Sequence, residues 1–302
     1  MRKHSRPAFT LFQLLVVLAL LGVLLGLLLP AVAKVRQAAA RTRSANNLRQ
    51  LAIACHNYYD TFNQLPTGVD KNHFSAAAYL LPYIEQDNLF RNLDLKKPID
   101  DPANAAVRAT HIKLLENPLD PITTVNKDYG PTNYLFSAGS KAALKDNDGL
   151  CYQESKITFA DITDGLSNTI LIGETLKGDG MTKAQDVRRQ HVLLKAEALK
   201  DLTEEAGVQE WRDNKNIVGD RGASWMDGRF LQGTFTSTRL ANDPKPDVNC
   251  GGAGGLSGLR STIGGSNIAL ADGSVRFIHD KVKLEVWRLL AARNDGQPIP
   301  DF

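Results

Sequence analysis

An α+β fold is what this sequence predicts: a long N-terminal helix, membrane-spanning in its first half and amphipathic in its second, packed on an antiparallel β-sheet head. Three observations carry the prediction. The apolar run Leu11–Ala33 continues into a segment whose apolar residues keep helical spacing. Beyond Pro66 the pattern changes to short β-prone runs and turns, two of them built on Asp-Gly. Helical spacing then returns over residues 281–293.

Leu11–Ala33 holds 23 residues, with Gln13 its only strongly polar side chain. As a helix such a run reaches about 35 Å, enough to cross the hydrocarbon core of a bilayer. Gly22 and Gly26 have the GxxxG spacing that admits a second helix closely, a spacing that also arises by chance. From Leu48 onward, Leu51, Ala52, Cys55, Tyr58, Tyr59 and Phe62 fall on one helix face. Arg41, Arg43, Arg49, Gln50 and Asn57 supply the other. Asn63-Gln64-Leu65-Pro66-Thr67-Gly68 ends the helix, and Pro30 inside it predicts a bend.

Charge is unevenly placed. Residues 1–49 contain eight Lys or Arg and no Asp or Glu; the remainder carries 28 basic against 33 acidic residues, a net of −5. The basic arm is split by an uncharged run, which fits a membrane rather than nucleic acid. Lys and Arg flank both ends of the run, so charge does not fix its orientation. The arm also fits a secretory signal peptide: Arg2, Lys3 and Arg6, an apolar stretch, then the AxA-like Ala31-Val32-Ala33. Against that stand a stretch longer than the usual ~7–15 apolar residues and a helical pattern that continues through the cut.

In the head, residues 223–231 around Asp227-Gly228 and residues 267–278 around Asp272-Gly273 read as hairpins with type I′ turns. Ile157–Phe159 and Thr169–Gly173 read as strands flanking a loop at 161–168. Thr182–Ala206, charged with both signs, reads as a helical surface insertion. Lys281–Arg293, capped by Asp280, reads as a helix with Val282, Val286, Leu289 and Leu290 toward the sheet.

Few residues combine into recognisable chemistry. Cys55, Cys151 and Cys250 lack CxxC spacing, which argues against zinc. In an oxidising compartment three pairings are open, Cys151–Cys250 among them. The run GGAGGLSG at 251–258 lacks the GK[ST] ending of a phosphate loop and misses the GxSxG nucleophile elbow. No HExxH occurs among the six histidines; His56 reads as a structural histidine on the helix and His279 as a strand-end surface residue. Calcium is the candidate cofactor, with Asp161, Asp164, Ser167 and Asn168 in one loop and Asp146-Asn147-Asp148-Gly149 in another. Neither has EF-hand spacing, and Asx turns account for both. No residue reads as catalytic, and no metal set is assigned.

Ala8-Phe9-Thr10-Leu11-Phe12-Gln13-Leu14-Leu15 resembles the prepilin-type cleavage and methylation motif of type IV pilins and type II secretion pseudopilins. Further stretches resemble the DUF1559 branch of pilin-like proteins: Asn46-Asn47-Leu48-Arg49-Gln50 with His56-Asn57-Tyr58-Tyr59-Asp60-Thr61, then Leu81-Pro82-Tyr83-Ile84-Glu85-Gln86. Ile162–Thr169 with Gly173-Glu174, and Ala271–Ile278, complete the set. The family signature residues are Asp164, Gly165, Ser167, Asn168, Asp272 and Gly273.

This resemblance implies four segments: a cytoplasmic leader (1–8), a transmembrane helix (9–33), its amphipathic continuation (34–64) and a globular head (65–302). A prepilin peptidase would cut between Ala8 and Phe9 and methylate Phe9. Phe9, Thr10, Leu11, Gln13 and Pro30 would form the assembly motif, with other pilin or pseudopilin subunits and the lipid bilayer as partners. The implied location is the bacterial inner membrane, with the N-terminus cytoplasmic and the head periplasmic or extracellular. Two departures bear on this. Ala8 stands where the family usually has Gly. Gln13 stands where it has a Glu that pairs with a neighbour's N-terminal ammonium, and an amide cannot neutralise that charge. A minor or tip subunit is the implied role. The family also tends to carry Cys at the positions of Ser44 and Asn117, as though one disulfide had been lost here. The competing expectation is a secreted carbohydrate- or protein-binding module released after Ala33, with Trp211 and Trp225 as aromatic contacts; an exported hydrolase without a recognisable motif is a third.

Overall fold

The computed structural model describes residues 11–300, apart from the side chains at 17, 19, 21–23, 25–27, 29–31 and 33. The expected processing site at Ala8 and Phe9, with Thr10, lies outside the described residues, as does the side chain of Pro30. Helix α1 runs from Leu11 to Phe62. Asn63, at φ 54°, takes the left-handed conformation that ends helices, and its N–H reaches Tyr59 O at 2.7 Å.

The head holds two sheets. The larger has the order β5-β1-β2-β8-β9, with β1 Tyr134–Gly139, β2 Ile170–Glu174, β5 Thr234–Thr236, β8 Gly265–Leu270 and β9 Val275–His279. The smaller has the order β4-β3-β6-β7, with β3 His191–Leu194, β4 Ile217–Val218, β6 Asp247–Cys250 and β7 Gly255–Leu256. Short helices α2 (Ala76–Leu80), α3 (Asp87–Arg91), α4 (Ala105–Arg108) and α5 (Val208–Arg212) decorate the connections. Helix α6 (Leu284–Ala291) closes the fold.

The larger sheet is buried on both faces, which is why β1, β2 and β8 are buried along their whole lengths. On one face Tyr134, Phe136, Leu171 and Ala269 pack with Leu48, Leu51, Ala52, Cys55 and Tyr58 of α1. On the other, Leu135, Ile170, Ile268 and Leu270 meet Val286, Trp287 and Leu290 of α6. The α1 register follows from the three- and four-residue spacing of its apolar positions. Phe62, expected on that face, is exposed.

Several expectations are corrected. Both sheets are mixed: β1–β5 and β3–β6 pair in parallel. Residues 182–206 form no surface helix; they contribute β3 to the smaller sheet and a 3-10 turn at Ala196–Asp201. Asp227-Gly228 makes no hairpin, because the Asp227 carboxylate is taken by Arg229 Nε at 2.9 Å and Nη2 at 2.6 Å within the loop. Phe159 opens a 3-10 turn rather than closing a strand. The hairpin at Asp272-Gly273 is present as β8–β9, but Gly273 alone has positive φ, at 83°. Its turn is therefore not type I′, which needs two such residues. Helix α6 starts later than expected, with Lys283 and not Asp280 at its N-cap, and no side-chain cap bond.

Candidate functional site

The exposed and packed halves of α1 meet at Ser44. Described apolar side chains before it are uncovered, from Leu11, 80 % exposed, through Leu14, Leu18, Leu24 and Leu28 to Val35, and Gln13 is exposed among them. From Ser44 onward the helix is clamped to the head. Ser44 Oγ donates to Glu174 Oε2 at 2.6 Å and lies 3.0 Å from the Tyr134 hydroxyl. Asn47 Nδ2 donates to Tyr134 Oη at 3.3 Å and to Glu116 O at 3.2 Å.

Glu174, at the end of β2, is buried. Asn117 Nδ2 donates to its Oε1, and Asn267 Nδ2 from β8 donates to its Oε2 at 2.8 Å. Burial pushes the Glu174 pKa up; the bonds from Ser44, Asn267 and Asn117 pull it down, and nearby Asp120 adds to the rise. A buried charge is costly unless its lone pairs are filled, and here three neutral donors from three distant segments fill them. Burial, and then the charge of Glu174, raise the Tyr134 pKa as well. Beside this junction Asn133 Nδ2 donates to Asp120 Oδ2 at 2.8 Å, and Arg189 pairs with Asp120 Oδ1 at 2.9 Å.

Most of the signature residues form a second clasp. Both oxygens of Asp164 accept backbone N–H bonds, from Asp295 at 2.7 Å and Gly296 at 2.9 Å. Gly165 takes φ 98°, and Asn168 Nδ2 donates to Asp164 O at 3.0 Å. Ser167 is exposed. Asp272 N reaches Leu166 O at 3.0 Å, Ala271 N reaches Thr169 O at 2.8 Å, and His56 Nε2 lies 2.8 Å from Ala271 O. The 164–168 loop, the 271–274 turn, the C-terminal segment and α1 are thus one hydrogen-bonded unit. Asp161 belongs elsewhere: its carboxylate closes a capping box on Thr158 N and Oγ1, bonds that lower its pKa. No group of three or more metal-binding side chains occurs among the described residues.

Cys55, Cys151 and Cys250 are free and buried. Cys55 and Cys151 share the core under α1, whereas Cys250 lies in a separate cluster of the smaller sheet, away from Cys151. Trp225 is a core residue whose Nε1 donates to Thr110 O at 2.8 Å, so it offers no surface contact. Trp211 is half-buried on α5.

Sequence reasoning did not find Glu174 as a site. Its signals were the place of Gly173-Glu174 in the resemblance and the joint departure of Ser44 and Asn117 from it. Those two positions converge on its carboxylate.

Among the described residues no helix is long and apolar enough to cross a membrane. Comparisons with curated proteins and with solved structures find no match. The model of the family described as protein of unknown function (DUF1559) matches residues 33–285, a span that begins after the prepilin-type motif, and the chain belongs to that family.

Proposed function

We propose that this chain is a non-enzymatic, pilin-like subunit, held in the inner membrane by the first half of α1 and assembling through that half with other pilin or pseudopilin subunits. The observation that carries the reading is the division of α1 at Ser44. On one side the described apolar side chains from Leu11 to Val35 are exposed; the other side completes the head's core. Exposed apolar surface on that scale calls for lipid or a partner helix. A rigid junction is what a subunit that transmits load from anchor to head requires, and the Glu174 contacts supply one. Processing at Ala8–Phe9 by a prepilin peptidase would leave the anchor in place. Gln13, in place of a carboxylate, fits a minor or tip position rather than repeated incorporation.

The reading is tested by alkaline carbonate extraction of host membranes carrying either the full chain or a version lacking residues 1–33. Retention of the full chain in the pellet and release of the shortened one is the expected result. Release of both would contradict it.

A further inference from the structure

Between the apolar run and the clamp at Ser44, α1 carries a ring of positive charge. Lys34, Arg36, Arg41 and Arg43 are all exposed, and no Asp or Glu occurs in the chain before Asp60. Asp60 lies about 25 Å further along the helix than Arg43, so no carboxylate of α1 reaches the four cations. The carboxylates at the junction are already taken: Glu174 by Ser44, Asn117 and Asn267, Asp120 by Arg189, and Glu116 by Lys177 at 3.0 Å. Four like charges on one short stretch of helix repel one another, and nothing in the fold offsets them.

The spacing sets the shape of this charge. Lys34 and Arg41 are two turns apart and share one face of the helix; Arg36 and Arg43 share the opposite face. The charge therefore surrounds the helix. It begins directly after the apolar run and extends about 14 Å, from Lys34 to Arg43. The headgroup layer of one leaflet is roughly 5–8 Å deep. Helical side chains lean toward the helix N-terminus, here toward the apolar run, and the long stems of Lys and Arg extend that reach. Lys34 and Arg36 thus fall at headgroup level, with Arg41 and Arg43 leaning down to within about one Debye length, ~10 Å.

The arrangement decides the partner. A folded protein docks on one face of a single helix and would leave one of the two pairs unmatched, whereas lipid headgroups encircle it. Three of the four residues are Arg, whose guanidinium fork matches the oxygens of a phosphate. The chain beyond residue 49 carries a net charge of −5, which an anionic surface repels, and the ring offsets that repulsion where the helix leaves the bilayer. We propose that Lys34, Arg36, Arg41 and Arg43 form a collar that binds anionic phospholipid headgroups and selects them as the first shell of lipid around the anchor. The collar rests on the anchoring proposed above and adds to it the class of lipid.

The experiment is electron spin resonance on the full chain in phosphatidylcholine vesicles with a trace of spin-labelled phosphatidylglycerol or spin-labelled phosphatidylcholine. It reads how much of each lipid is immobilised at the protein. Expected is a preference for phosphatidylglycerol of about threefold. The preference should vanish in the variant combining Lys34→Gln, Arg36→Gln, Arg41→Gln and Arg43→Gln. It should also fall by at least about half for the parent in ~1 M salt, where screening shortens to about 3 Å. A control combining Arg2→Gln, Lys3→Gln and Arg6→Gln should keep most of it. Immobilised lipid with no preference in the parent would overturn the collar, leaving the ring to an acidic protein partner, while the anchor stands. So would a preference that the quadruple variant or high salt leaves unchanged, or one that the N-terminal control abolishes. Absence of immobilised lipid of either kind would contradict the anchor and the collar together.

Discussion

Ser44 Oγ and Asn117 Nδ2 donate to opposite oxygens of one buried carboxylate, that of Glu174. Two segments far apart in sequence are tied at the point where α1 passes from exposed to buried. Removing one donor leaves a buried charge under-satisfied. Ser44→Ala and Asn117→Ala are each expected to destabilise the fold by about 1–3 kcal/mol, read as a shift in urea unfolding. Unchanged midpoints in both would show that the junction contributes nothing.

Because Ser44 and Asn117 meet across Glu174, Ser44→Cys with Asn117→Cys should place two thiols within reach of each other. The double variant is expected to lose two hydrogens on mild oxidation, seen by intact mass. A fully reduced product after exposure to an oxidant would show that the two backbones are held too far apart.

His191 gives the fold a pH dependence. Burial, its dominant influence, pushes its pKa down from 6.5 to about 4; nearby Asp220 works in the opposite direction, and Arg221 adds to the fall. Below pH 6.5 the unfolded chain takes up a proton that the folded chain refuses until about pH 4. The contribution is therefore complete above pH 6.5 and is lost as pH falls toward 4, by about 3 kcal/mol in all. Glu174 acts in the reverse sense. Its raised pKa keeps the proton on the folded chain to higher pH, so stability from that group falls as pH rises through the carboxylate range. His191→Phe should flatten the loss between pH 7 and pH 5 in denaturant melts. A variant with the slope of the parent would contradict the assignment.

The two halves of α1 should respond differently to truncation. Leu51→Ala removes a fully buried side chain and is expected to cost about 2–5 kcal/mol of head stability. Leu28→Ala removes an exposed one and should stay within about 0.5 kcal/mol in detergent. Equal effects on urea unfolding would mean that the division at Ser44 is wrong.

Assembly offers a gain-of-function test at Gln13. Gln13→Glu restores the charge that a neighbouring ammonium would need, so it is expected to increase pelletable or crosslinked oligomer in cells. An unchanged or lower yield would contradict the role given to that position.

What the chain made legible follows from range. Leu48, Leu51, Ala52, Cys55 and Tyr58 announce their buried face because helix spacing is local. The β8–β9 hairpin is likewise local, carried by one glycine turn. The pairings of β1 with β5 and β3 with β6 are parallel, so no short turn marks them, and β3 lies in a charged stretch that hides it. Asp227-Gly228 misled because a turn-forming Asp can hold a neighbouring Arg instead. Glu174 is a lone acidic residue in sequence; its donors come from positions 44, 117 and 267, and only the folded chain brings them together.

The anchoring reading stands or falls on where the mature chain begins. Intact mass and N-terminal sequence of the protein from membranes of its native host measure this directly. A chain that starts at methylated Phe9, with the apolar half of α1 retained, is the predicted result. A chain that starts at Lys34 would mean that the apolar run is a discarded address, and that the head acts as a released binding module.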